Sequence, residues 1–92
     1  MTDTIVLRGL ECLAYCGALP EEQLRRQPFH IDLELDVDVS RAAASDELAD
    51  TVDYGTLCDR VVHLMESERF VLMERAAQRI ADVVLEDARV SR

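Results

Sequence analysis

Residues 29–39 constrain the fold more than any other stretch of the chain. Phe29, Ile31, Leu33, Leu35, Val37 and Val39 alternate with His30, Asp32, Glu34, Asp36 and Asp38. Successive side chains of a strand point to opposite faces, so every apolar group lands on one face and four carboxylates on the other. The run predicts a half-buried strand whose acidic face is solvated, as antiparallel sheets often are on one side.

Such a strand needs a partner and a cover. Ile5 to Tyr15 predicts the partner: Ile5, Leu7, Leu13 and Tyr15 share one parity, and Gly9 marks a bulge or a close contact. The connection from Cys16 to Pro28 holds Gly17, Pro20, Glu21 and Glu22 and is too long for a tight hairpin turn. Loops of this length inside small domains are often functional. Ser40 to Asp50 is polar and alanine-rich, with a helical turn expected at Arg41 to Ala44.

Two amphipathic helices supply the cover. The first starts near Asp53, whose carboxylate caps the free amides of the first turn, and places Tyr54, Leu57, Val61, Leu64 and Met65 at helical spacing. Ser67 to Phe70 separates it from a second helix over Val71 to Asp87. There Met73, Ala76, Ala77, Ile80, Val83 and Val84 form the apolar stripe, opposite Arg75, Arg79, Asp82 and Glu86. A hairpin with one apolar face followed by two helices implies an α+β layer arrangement. Asp87 to Arg92 reads as the approach to another strand, with Val90 its first inward residue. A two-stranded sheet is barely stable and leaves both edges unpaired. The expectation is that these edges pair with other subunits, that sequence continues past Arg92, or both.

Length and charge narrow the function. Ninety-two residues make one domain, without a repeat or linker, and bury only a thin core. The 49% hydrophobic and 32% charged content fits a globular chain. Net charge is −9 and all ten cationic residues are arginine, which argues against nucleic-acid and membrane-surface partners. No apolar run approaches a membrane span, and Met1-Thr2-Asp3-Thr4 lacks the features of a signal peptide. Cys12, Cys16 and Cys58 are an odd set without a CxxC spacing, which fits reduced thiols in the cytoplasm. On one strand, Cys12 and Cys16 lie about 13 Å apart, too far to bridge.

Three residues are placed for chemistry. Glu74 falls on the helical stripe of Ala81 and Leu85, beside the apolar face, where partial desolvation calls for a paired donor. An amidine-like group with adjacent N–H donors answers that need through two charge-assisted bonds. The alternative is a first-turn glutamate that favours the helix dipole or pairs with Arg75 or Arg79. Tyr54, at a helix start, is either a core or interface tyrosine or a ring that stacks on a flat ligand while its hydroxyl moves a proton. Glu22 is either a loop acid at a site or a solvated one. Only Gly9, Gly17 and Gly55 are present, so there is no phosphate-cradling loop, and the spacing of Cys16, His30 and Cys58 does not suggest a metal site.

The segments Tyr15-Cys16-Gly17-Ala18-Leu19-Pro20-Glu21-Glu22, Gln27-Pro28-Phe29, Asp50-Thr51-Val52-Asp53-Tyr54-Gly55 and Leu72-Met73-Glu74-Arg75 occur in an order that resembles dihydroneopterin aldolase. Arg41-Ala42-Ala43-Ala44-Ser45-Asp46 and Arg79-Ile80-Ala81-Asp82 extend the likeness over essentially the whole chain. The resemblance implies a T-fold: two strands, two helices and two further strands. Four subunits join their sheets into a barrel, and two rings stack into a homo-octamer with sites between subunits. It implies a metal-free, cofactor-free and Schiff-base-free aldolase of folate biosynthesis. That enzyme splits 7,8-dihydroneopterin into 6-hydroxymethyl-7,8-dihydropterin and glycolaldehyde, and the pterin's own imine takes up the electrons.

The same resemblance assigns residues. Glu74 matches the acid that holds the pterin's amino-pyrimidinone edge, helped by the Met73 backbone. Tyr54 matches the tyrosine reaching in from a neighbouring subunit for proton transfer. Glu22 matches the acid beside the substrate's hydroxyls, and Asp53 joins the binding set beside Tyr54. The chain departs from the family in two ways. Cys16 stands where many relatives have histidine. The catalytic lysine, expected beyond the second helix before a proline, has no counterpart, because the 92 residues contain no lysine. Arginine cannot replace it as a base, since guanidinium stays protonated. The expectation is therefore one domain over 1–92 without its C-terminal β-hairpin. An epimerase on the same fold and a non-catalytic pterin-binding or assembly module are the alternatives.

Overall fold

The computed structural model describes residues 2–92. The expected hairpin forms: β1 (Asp3–Cys16) and β2 (Gln27–Val37) pair antiparallel, from Asp3 opposite Val37 to Ala14 opposite Gln27. The alternation on β2 holds, with Leu35 and Val37 buried and Asp32, Glu34 and Asp38 exposed. The expected parity on β1 does not hold along its whole length. The register shifts between Leu7 and Leu10, where Gly9 adopts φ 71° and its amide donates to Asp32 Oδ1 at 2.9 Å. One extra residue in a bulge exchanges inward and outward positions beyond it. Ile5 and Leu7 therefore face inward before the bulge, and Cys12, Ala14 and Cys16 after it. Leu13, expected inside, is 50% exposed.

After β2 the chain forms α1 (Ser40–Ser45), which ends on the left-handed Asp46 at φ 57°, and a 3₁₀ turn over Leu48–Asp50. Helix α2 (Tyr54–Ser67) starts as expected, because the Asp53 side chain accepts from the Thr56 amide at 3.1 Å. It buries Leu57, Val61, Leu64 and Met65 against β1. The segment after α2 does more than separate two helices. It forms β3 (Arg69–Phe70), parallel to the end of β1 with Tyr15 opposite Arg69 and Cys16 opposite Phe70, so the sheet order is β2-β1-β3. Helix α3 (Met73–Leu85) is shorter at both ends than the expected Val71 to Asp87, and buries Ala76, Ile80, Val83 and Val84.

The core lies between the inner sheet face and the helix pair, with Val37, Val52 and Val61 fully enclosed. Beyond α3, Val90 is buried and bridges antiparallel to Val37. The Ser91 amide donates to the Asp36 carbonyl and the Asp36 amide to the Arg92 carbonyl, both at 2.9 Å. The expected strand approach is thus present along the outer edge of β2. No helix among the described residues is long and apolar enough to cross a membrane.

Candidate active site

The loop after β1 is built around Gly17. Its amide donates to the Phe70 carbonyl at 3.0 Å, which joins the loop to β3. A 3₁₀ turn over Pro20–Gln23 then brings Glu22 back, so that its carboxylate accepts from the Leu19 amide at 3.0 Å. The same carboxylate lies against Gly17, where a β-carbon would fall 2.2 Å from Glu22 Cδ. Loop closure therefore fixes the direction of the Glu22 side chain.

β3 delivers the chain from the foot of α2 to the start of α3, and Glu74 occupies the first turn of α3. Glu22 and Glu74, from separate elements, both bear electrostatically on one buried thiol. Burial pushes the Cys16 thiol above its ordinary range, and the charges of Glu22 and then Glu74 push it further. Beside Cys16 opens a cavity of ≈ 230 Å³ bordered by Phe29, Ile31, Met65, Met73 and Ile80. His30 and Asp32 also border it, whereas Glu22 and Glu74 are not among its lining residues.

The structure corrects the expected partial desolvation of Glu74. In the single chain Glu74 is exposed, and Met73 beside it is 66% exposed. The reason is positional: Glu74 lies in the first turn of α3, and the first residue that α3 buries is Ala76. The alternative pairing of Glu74 with Arg79 does not form either. Arg79 is engaged by Glu68 at 3.2 Å and Asp82 at 3.9 Å.

Tyr54 and Asp53 lie elsewhere. Tyr54 opens α2 and is 52% exposed, although the helical spacing placed it on the apolar stripe; the first buried residue of α2 is one turn later, at Leu57. From Tyr54 to Ser67, α2 extends about 20 Å at 1.5 Å per residue before β3 begins. Tyr54 and Glu74 therefore sit toward opposite ends of α2 and do not share a site within one chain. Asp53 is occupied as a cap, and its bonds to Thr56 hold its carboxyl below the usual aspartate range.

Sequence reasoning missed the residues that hold this loop in place. Gln23 Nε2 donates to the Gly17 and Phe70 carbonyls, both at 2.8 Å. Arg69 lies over the Tyr15 ring at 4.0 Å from its centroid, and Arg26 over the same ring at 5.3 Å. No local spacing signals these contacts, because Gln23 and Phe70 are 47 positions apart.

The architecture, a β-hairpin covered by two consecutive helices, matches solved structures closely. A crystal structure from Vibrio cholerae carrying the name dihydroneopterin aldolase superposes with a TM-score of 0.90 at 32% identity, over 96% of this chain and 75% of that one. The Escherichia coli dihydroneopterin aldolase, solved in complex with neopterin, gives a TM-score of 0.86 at 32% identity, over 91% of this chain and 73% of that one. These matches define an α+β T-fold protein. The dihydroneopterin aldolase family model matches residues 5–92, and the chain belongs to that family. Its similarity to the dihydroneopterin aldolase of Streptococcus pyogenes serotype M18 is 49% identity over 80 residues, which are 87% of this chain and 67% of that protein.

Proposed function

We propose that this chain binds the pterin of a dihydroneopterin aldolase site, in which 7,8-dihydroneopterin is cleaved to 6-hydroxymethyl-7,8-dihydropterin and glycolaldehyde. One observation carries the reading: the charges of Glu22 and Glu74 both act on the buried Cys16 thiol, which itself borders an apolar cavity, in a chain of the aldolase family. Glu74 accepts two N–H bonds from the amino-pyrimidinone edge, and the Met73 backbone supports them. A ring seated on the Glu74 carboxylate removes it from water, which strengthens those bonds. Glu22 holds the side-chain hydroxyls. Tyr54 comes from a second copy, since it cannot reach Glu74 in its own, and Asp53 orients it by capping the helix that Tyr54 starts.

The reaction breaks the bond between the first and second side-chain carbons. The second carbon's hydroxyl gives up its proton and becomes the aldehyde of glycolaldehyde. The released electron pair enters the pterin's imine, and the resulting enamine is reprotonated on the first carbon. No metal or Schiff base is needed, because the heterocycle is itself the electron sink. Tyr54 and Glu22 are proposed to relay protons, while the lysine base implied by the resemblance is not among these 92 residues. The assembly is a homo-oligomer of stacked tetrameric rings, and the three free cysteines fit a reducing cytoplasm.

The test measures neopterin binding by fluorescence titration. Glu74→Ala abolishes it, because two charge-assisted bonds are lost at once. Binding that survives this substitution overturns the site. Joining the chain to the remaining part of a relative then yields glycolaldehyde from dihydroneopterin. An epimerised product with its carbon skeleton intact selects the epimerase alternative.

A further inference from the structure

Gln23 directly follows Glu22 in the loop, and its side chain reaches across to β3. Its side-chain amide donates to the Gly17 carbonyl and to the Phe70 carbonyl, both at 2.8 Å. The first carbonyl belongs to the residue against which the Glu22 carboxylate lies. The second ends β3, three residues before α3 begins and four before Glu74. The Phe70 carbonyl also takes the Gly17 amide at 3.0 Å, so one acceptor receives both donors of the loop. The Gln23 carbonyl in turn accepts from the Arg69 guanidinium, which stacks on Tyr15. These contacts join the element that carries Glu22 to the segment that leads into Glu74. Gln23 is only partly exposed, so its bonds are sheltered from competing water.

We propose that Gln23 is a positioning residue for pterin recognition: its amide sets the separation between the Glu22 loop and the start of the Glu74 helix. The proposal rests on the pterin reading given above. Glu22 serves the hydroxylated side chain and Glu74 the pyrimidinone edge, so the two acids must be spaced to match one ligand. Removing the Gln23 amide lets the loop drift while Glu74 keeps its helix. A ligand that uses both acids then loses affinity, and a ligand that uses Glu74 alone does not.

The experiment compares neopterin with unsubstituted pterin, which lacks the hydroxylated side chain, on the full chain. Gln23→Met keeps the volume of the side chain and removes both donor bonds. Its dissociation constant for neopterin rises about tenfold, while that for pterin changes less than about twofold. Gln23→Asn, one methylene shorter, gives an intermediate loss for neopterin. Equal weakening of both ligands in a folded variant overturns the proposal, because Gln23 would then be only structural. Unchanged neopterin binding also overturns it. Amide exchange at Leu19, whose N–H the Glu22 carboxylate accepts, supplies a readout that needs no ligand. Faster Leu19 exchange in Gln23→Met is expected, and unchanged exchange overturns the proposal. Should the parent chain bind neither pterin, the pterin reading fails by itself, and with it the recognition role of Gln23. The Leu19 exchange then reports only whether Gln23 holds the loop.

Discussion

A methyl group added at Gly17 would fall 2.2–2.5 Å from the three atoms of the Glu22 carboxylate, so the glycine and the acid exclude each other's alternatives. The backbone there, at φ 154°, is also one that side-chain-bearing residues rarely adopt. Gly17→Ala must therefore swing Glu22 away and break its bond to the Leu19 amide. The expected cost is about 1–2 kcal/mol of stability, together with weaker neopterin binding. Chemical denaturation and titration on one preparation check both parts. Wild-type stability with wild-type affinity would show that Glu22 is free to relocate, contrary to its assigned role.

At the scale of the element, the start of α2 depends on Asp53. Its bond to the Thr56 amide stabilises the charged carboxylate and lowers its pKa on folding. A lowered folded pKa contributes stability that is complete above the unfolded value of about 3.9. That contribution is lost as pH falls through the lower folded value. Asp53→Ala lowers the melting temperature by roughly 5 °C near neutral pH, and the difference from wild type narrows as pH drops below about 4. Asp53→Asn retains most of the cap but not its pH dependence. Thermal melts across pH separate the three proteins, and a constant gap down to pH 2 would refute the linkage. Because Tyr54 follows directly, fraying of this turn also loosens the residue proposed for proton transfer.

The whole molecule is elongated. Its radius of gyration is 15.0 Å and its extents are 51 × 18 × 18 Å, whereas a compact chain of this length has a radius near about 12 Å. One long hairpin carries two helices, and Val71, Leu72 and Met73 lie together in the open at 59%, 54% and 66% exposure. Contiguous apolar groups beside a candidate site mark a contact surface. The site itself asks for a second copy, since Tyr54 and Glu74 are separated by the length of α2. Wild-type chain is expected to sediment as an oligomer, and Leu72→Asp to shift it toward the monomer without unfolding it. A monomeric wild type at high concentration would remove the shared-site mechanism.

The alternation on β2 determined one wet and one dry sheet face, and the helical spacing determined which faces of α2 and α3 cover it. These patterns are local, because each side chain's direction follows from the period of its own element. The Asp53 cap is equally local and was legible from the residues at the helix start. Beyond Gly9 the same logic failed on β1, since a bulge depends on the register with β2 and not on β1 alone. β3 was hidden because two residues carry no period, and the Gln23 bonds because they span distant segments. Glu74 was read correctly as a first-turn acid beside an apolar stripe, but its exposure was decided by where the packing of α3 begins, at Ala76. Periodicity reports the direction in which a group points; what it meets there is settled by register and by the reach of neighbouring elements.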